Sequence, residues 1–257
     1  IEFLKDFGGQ TIMFSQIDTK FCENFKSYLL TAKSGSNKEA IISQNTASTY
    51  FSVFKAALKE AFIDGYFSTD ISAKIKSIPH EESRREYLTL EELNTLVETP
   101  CELDVLKRAA LFSALTGLRH SDIQKLTWNE ISIENDQAKI NFTQKNTKGV
   151  EYMPMSKQAL QLCGEAGLPN ELVFKNLTNA AWISRPLKKW IESAGITKKI
   201  TFHNFRHTFA TLQLSSGTDI YTVSKMLGHT NVKTTQVYAK VVDETKNKAA
   251  GAIKLNL

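Results

Sequence analysis

His203-Asn204-Phe205-Arg206-His207-Thr208-Phe209-Ala210-Thr211 is the stretch on which the reading of this chain turns. At 100° per residue, Phe202, Phe205, Phe209 and Leu212 fall on one side, so the segment reads as a helix over 202–214 with an aromatic core face. His203 and Arg206, three apart, are neighbours on another side. A buried helix that turns a His–Arg pair away from its aromatic face presents that pair to something, although a surface His and Arg need no ligand. His203 and His207 also stand at i and i+4, a zinc-ligand spacing. No Glu follows His203, Arg206 would repel a dication and no third ligand is near, so the metal reading is poor.

Three more segments carry chemistry-bearing residues. Arg119 follows a glycine turn in Thr116-Gly117-Leu118-Arg119, with Leu106, Ala110 and Leu115 before it and Ile123 and Leu126 after it. An arginine enclosed by apolar neighbours must be paired or solvated. Asp122 or Glu130 could pair it structurally, or its planar fork could hold phosphate oxygens. His229 follows Gly228, a helix-stop residue, and Tyr238 lies among Val237, Val241 and Val242. Alone, each has an ordinary structural explanation. Together, two arginines, two histidines and a late tyrosine suffice to grip a phosphodiester and attack it with a phenol.

Around these segments the chain reads as mainly α with a small antiparallel β-sheet. Helices are expected over 18–32 (cap Asp18), 45–64 (stop Gly65) and 70–76, which form a small helical unit over residues 1–82. The polar, non-periodic run 78–85 reads as an interdomain linker. Thr89-Leu90-Glu91-Glu92 has capping-box spacing and opens the second unit, 83–257. Further helices follow at 102–115, 156–164, 178–194, 219–227 and 232–246. Between them, Ile131 and Ile133, a turn at Asn135-Asp136, Ile140 and Phe142, a turn near Lys148-Gly149, then Val150 and Tyr152 read as a small sheet.

A chain of 257 residues, 42% of them hydrophobic, can build one large or two modest cores. No run of 18 apolar residues is present, so no membrane span is read. Cys22, Cys101 and Cys163 are scattered and odd in number, which fits neither a disulfide framework nor a metal knuckle and points to a reducing cytoplasm. The chain opens Ile1-Glu2-Phe3, without Met, and reads as a fragment. Residues 139–257 hold 17 Lys and Arg against 7 Asp and Glu, whereas residues 1–138 are net acidic. The excess thus lies with the candidate phosphate ligands and suits a polyanion, or equally a solvated lysine surface.

In order and spacing these segments resemble the tyrosine recombinase (phage integrase) family over most of residues 83–245. Its boxes are similar to Thr116–Arg119 with Asp122, His203–Thr211, and Leu227-Gly228-His229 with Thr234-Thr235-Gln236-Val237-Tyr238; the last two are highly specific. The N-terminal unit resembles the family's helical core-binding domain more weakly, by size and helix pattern. The resemblance implies that Arg119 and Arg206 hold the scissile phosphate and that His203 and His229 hydrogen-bond it. His203 would share in taking the phenol proton, and Tyr238 would be the nucleophile. It also implies a general-acid lysine on the hairpin, for which Lys145 is preferred and Lys148 is the rival. Neither metal nor cofactor is implied. The implied partner is double-stranded DNA, cut and rejoined through a 3′-phosphotyrosine and a Holliday junction by four protomers on two sites, the free protein being monomeric. Mobile-element integrases are the nearer likeness. A type IB topoisomerase would share the chemistry without strand exchange, and a non-catalytic DNA-binding protein would share the fold. The tail 251–257, with Ile253, Leu255 and Leu257, is expected to dock on a neighbouring protomer or to finish a local strand.

Overall fold

Residues 1–35, 39–81, 85–143 and 150–239 are described by the structure, a computed structural model. The chain divides into two compact units, Ile1–Arg84 and Arg85–Leu257.

In the first unit, α2 (Thr19–Thr31) and α3 (Gln44–Ile63) are the main helices, with α1 (Glu2–Gly8) and α4 (Ile71–Lys74) packed around them. Asp18 accepts the Phe21 N–H and Ser43 that of Thr46, which satisfies amides that a helix start leaves unpaired. Phe25 and Leu29 on α2 meet Phe51, Phe54 and Leu58 on α3, and Phe25 and Phe54 pack edge to face at 5.0 Å. Helix α1 escaped the sequence reading because it is short. What holds it is long-range: the Phe7 ring lies 5.2 to 5.4 Å from those of Phe21, Phe25 and Tyr28.

The expected linker corrects in part. Ile78 is buried in this core, and the backbone beyond it is stitched to α3. Ser48 donates to the Ile78 carbonyl at 2.7 Å, Gln44 to that of Pro79 at 2.9 Å, and Asn45 exchanges bonds with the Glu81 peptide at 3.0 and 2.8 Å. Polar composition read as a loop is here a row of side chains capping a returning strand of chain.

The second unit starts with α5 (Leu90–Glu98), whose Thr89–Glu92 capping box is present in both directions. Helix α6 (Asp104–Thr116) packs its Leu106, Ala109, Ala110 and Phe112 in the main core. It ends at Gly117, whose left-handed φ of 73° turns the chain sharply. A Cβ there would sit 2.6 Å from Phe209 Cδ1 and 2.9 Å from Leu227 Cδ2, so both conformation and space require glycine. After the short α7 (His120–Ile123) comes a three-stranded antiparallel sheet, β1 (Ile131–Glu134), β2 (Gln137–Thr143) and β3 (Val150–Met155), in that order. Asn135 and Asp136, at φ 48° and 63°, make the β1–β2 turn and set the register Glu134↔Gln137. Ala138, Ile140, Met153 and Met155 face the core, whereas Ile133 is exposed.

Helices α8 (Lys157–Cys163), α9 (Ala180–Ser193), α10 (Phe202–Ser215), α11 (Ile220–Met226) and α12 (Lys233–Ala239) complete the unit. Phe202 and Phe205 of α10 join the main core, where Phe205 stacks on Trp190 at 6.2 Å. Further along α10, Phe209, Ala210 and Leu214 form a second cluster with Val223, Leu227 and Tyr238. Helix α10 is therefore buried along almost its whole length and is the rigid element against which α6, α11 and α12 are placed. No helix among the described residues is long and apolar enough to cross a membrane.

Candidate active site

The α10 helix splits the pair that the sequence puts together. His203 is exposed, and Arg206 is 3% exposed. The Arg206 side chain runs inward and donates from Nη1 to the Gly117 carbonyl at 2.7 Å and from Nη2 to the Leu227 carbonyl at 2.6 Å. The left-handed turn at Gly117 and the end of α11 thus supply two carbonyls to one guanidinium. Burial pulls Arg206 down to about 10, with Arg119 the next cause, so it stays charged at neutral pH.

Arg206 Nη2 also lies 3.1 Å from His229 Nε2. A guanidinium only donates, so His229 Nε2 accepts, and the ring's hydrogen belongs on Nδ1. That nitrogen lies 2.8 Å from the hydroxyl of Thr235, which is fully buried on α12. Burial, then the charges of Arg206, Arg119 and Arg85, lowers His229 to about 4, which keeps the ring neutral. His203, exposed as a residue but with its ring partly enclosed beside His207, is lowered by that partial desolvation, then by Arg206, Arg85 and Arg119.

Arg119 is not enclosed, contrary to the expectation from its apolar neighbours. Gly117 reverses the chain, Leu118 takes the buried place, and the Arg119 side chain is 48% exposed. Among the described residues its one ion pair is a loose 3.8 Å contact with Asp122; Glu130 instead accepts from Thr127. Arg119 and His203 face a common cleft of about 1130 Å³, bordered by Lys188 of α9 and by Lys198 and Lys199 before α10.

Tyr238 is 3% exposed, packed with Phe209, Val223 and Leu227. Its hydroxyl lies 2.7 Å from His207 Nδ1. Burial raises the phenol above its ordinary value, and the charges of Arg85, Arg206 and Arg119 oppose that rise. Arg85 stands 5.9 Å from the Tyr238 ring centroid. It is delivered there because the next residues are tied to α10: Asn204 donates to the Glu86 carbonyl at 2.7 Å, and the Leu88 N–H donates to Thr208 at 2.9 Å.

Sequence reasoning thus missed three residues of this cluster. His207 was considered only as a metal ligand, yet four residues along a helix is 40° of rotation, which puts it on the side of His203. Thr235 stands in the quoted last box. Arg85 carried no local signal, since the bonds that tie the neighbouring Glu86 and Leu88 to α10 span more than a hundred residues. Lys145 and Lys148 lie outside the described residues, as does the tail 251–257.

A buried arginine, histidines and a phenol on one hydrogen-bonded framework are groups able to hold a phosphodiester. The phage integrase family profile matches residues 86–245 and the phage integrase SAM-like domain profile residues 1–77; the chain belongs to the phage integrase family. Within it, the chain is similar to tyrosine recombinase XerD of Corynebacterium glutamicum, 26% identical over 239 residues, covering 86% of this chain and 78% of that protein. It is also similar to a tyrosine recombinase of Pseudothermotoga lettingae, 34% identical over 139 residues, 51% of this chain and 47% of that protein. The fold is that of the XerH site-specific recombinase in its post-cleavage complex with palindromic difH (TM-score 0.74, 18% identity, 96% of this chain and 76% of that one). It is also that of a lambda integrase dimer on a COC′ core site (TM-score 0.66, 17% identity, 92% and 84%). Membership makes the protein a tyrosine-type, site-specific DNA recombinase, an enzyme that breaks and rejoins DNA strands.

Proposed function

We propose that Tyr238 is the nucleophile of this recombinase and that Arg119, Arg206, His203 and His229 form its phosphate cradle. The observation that carries the assignment is the framework that joins Gly117, Arg206, Leu227, His229 and Thr235, beside the hydrogen bond between His207 and Tyr238. Three stretches distant in sequence, at Gly117, at Arg206-His207 and over 227–238, meet there. An unperturbed phenol has a pKa of about 10, so roughly one in a thousand is ionised at neutral pH. Attack therefore needs the phenol proton removed and the added charge on the five-coordinate phosphorus offset, which the arginines supply. The phenol oxygen joins phosphorus, the bond to the 5′-oxygen breaks, and that oxygen takes a proton from a general acid, for which Lys145 is the candidate. The phosphotyrosine retains the bond energy, so a returning 5′-hydroxyl can reseal the strand without ATP.

The substrate in this reading is double-stranded DNA, with residues 1–82 as the core-binding domain and 83–257 as the catalytic domain. The lysine excess of residues 139–257 supports contact with phosphates. Four protomers would exchange strands between two sites through a Holliday junction, as the family's chemistry needs two cleavages per strand pair. A mobile element's end as the target rests on the wording of the boxes. The test is a pool of nicked duplexes randomised across the central segment, incubated with the protein and then denatured. A denaturant-resistant DNA adduct is expected with wild type and none with Tyr238→Phe, which should bind the selected duplex equally well. An adduct with the Phe variant removes Tyr238 from the role. Strand transfer between two selected duplexes separates recombination from simple relaxation.

A further inference from the structure

We propose that His207, rather than His203, takes the proton from Tyr238 as the phenol attacks phosphorus. The inference rests on Tyr238 being the nucleophile. Its basis is contact: the His207 Nδ1–Tyr238 Oη distance is 2.7 Å, the rings stand 5.3 Å apart, and no hydrogen bond joins His203 to the phenol among the described residues. His203 instead packs its ring against that of His207 at 4.4 Å, nearly perpendicular.

The phenol, raised by burial, keeps its hydrogen at neutral pH, and His207 Nδ1 is its hydrogen-bond partner among the described residues. With the ring neutral and its own hydrogen on Nε2, Nδ1 is the acceptor of the phenol's hydrogen. Neutrality is enforced. Burial, then His203, Arg85, Arg206 and His229, lowers His207 to about 3. The groups around it are thus His203 and Arg206 from α10, Tyr238 from α12, His229 from the turn after α11, and Arg85 from the segment before α5. All except the phenol are cationic or can become so.

That surrounding makes His207 a weak base before DNA arrives and a better one afterwards. A docked phosphate brings negative charge against the same cations and relieves their effect on the ring. As the bond from Oη to phosphorus forms, the O–H bond becomes strongly acidic. The O–H bond breaks and an N–H bond forms at Nδ1; the P–O5′ bond breaks, and the 5′-oxygen takes its proton from the separate general acid. On religation the imidazolium returns its proton to the departing phenol. His203, on the open side of the helix, is left to the phosphate oxygens.

The experiment uses a duplex selected by wild-type adduct formation and follows single-turnover cleavage from pH 6 to 8.5. Wild type should be flat, because its base is in the accepting form throughout. His207→Ala should be on the order of 100-fold slower at pH 7 and should gain about tenfold per pH unit, as attack comes to depend on phenolate from solution. His207→Asn places a hydrogen-bonding group near the same point but cannot take a proton, and should show the same slope. His203→Ala should be slower with a flat profile. A 5′-bridging phosphorothiolate, whose sulfur leaves unprotonated, should not rescue the His207 variants. A flat His207→Ala profile, full rescue by Asn or by sulfur, or a slope in His203→Ala overturns the proposal. Should the variants fail to fold, ¹⁵N NMR of the wild type decides. His207 must be neutral with its hydrogen on Nε2 at pH 7, and its Nδ1 signal must move on Tyr238→Phe; the opposite tautomer or an unmoved signal overturns it. Wild type that forms no adduct with any duplex of the pool would instead fault the reading of Tyr238 as nucleophile.

Discussion

Arg206 and Arg119 begin from the same guanidinium and end in opposite surroundings. Arg206 is held from within, three of its N–H groups directed at two carbonyls and a histidine. Arg119, two residues past the carbonyl that Arg206 grips, is half exposed, with Asp122 as a loose partner. A buried cation held by several partners keeps one geometry, and removing it strands those partners. An exposed one costs little to hold and little to lose. The contrast separates a charge positioned by the fold from a charge held loosely, within one site.

The contrast breaks first at Arg206. Arg206→Ala leaves the Gly117 and Leu227 carbonyls and His229 Nε2 unpaired, so it should destabilise the second unit by about 3–5 kcal/mol as well as abolish cleavage. Urea unfolding measures this, and an unchanged midpoint would show that the arginine supports nothing. Gly117→Ala attacks the same nest from its backbone. A left-handed alanine costs about 1–2 kcal/mol, and a methyl group pressed on Phe209 and Leu227 adds about 1–3 kcal/mol. Thermal unfolding should show the sum, and a neutral result would mean that the turn gives way without disturbing α10.

Proton uptake sharpens the comparison next. His207 and His229 are depressed to about 3 and about 4 in the fold, while an unfolded histidine titrates near its ordinary value of about 6.5. The unfolded chain therefore binds protons first. Stability is complete above about pH 6.5 and is lost as pH falls toward about 4. Melting temperatures between pH 7 and 5, above the carboxylate range, should fall, and less steeply in His229→Gln; equal slopes would remove His229 from the account. The smallest effect on stability belongs to Arg119→Ala, within about 0.5 kcal/mol of wild type. Its cleavage should nonetheless drop by about 100-fold or more, with duplex binding far less affected. A stability loss like that of Arg206→Ala would erase the distinction.

Local signals made much of the architecture legible. Asp18 and Thr89 announce helix starts by their side chains, Asn135-Asp136 announces a hairpin, and the spacing of Phe202, Phe205 and Phe209 gives the buried face of α10. The segments of the site were also visible, because their residue types recur at specific spacings. The inward turn of Arg206 and the arrival of Arg85 were not. Each depends on a partner distant in sequence: the Gly117 carbonyl, or the Asn204 and Thr208 side chains. Periodicity reports which face of a helix is apolar. It cannot report that a charged side chain on the other face will find carbonyls there.

The burial of Tyr238 bears on the proposal that it is the nucleophile. In that reading a side chain only 3% exposed has to be uncovered before, or as, a phosphate reaches it. The free energy for that step has to come from a ligand that binds the uncovered form more tightly than the covered one. Arg85, exposed and lying over the ring, is a side chain whose departure toward a passing polyanion would lift part of the cover. In that reading the phenol stays shelved until such a ligand arrives.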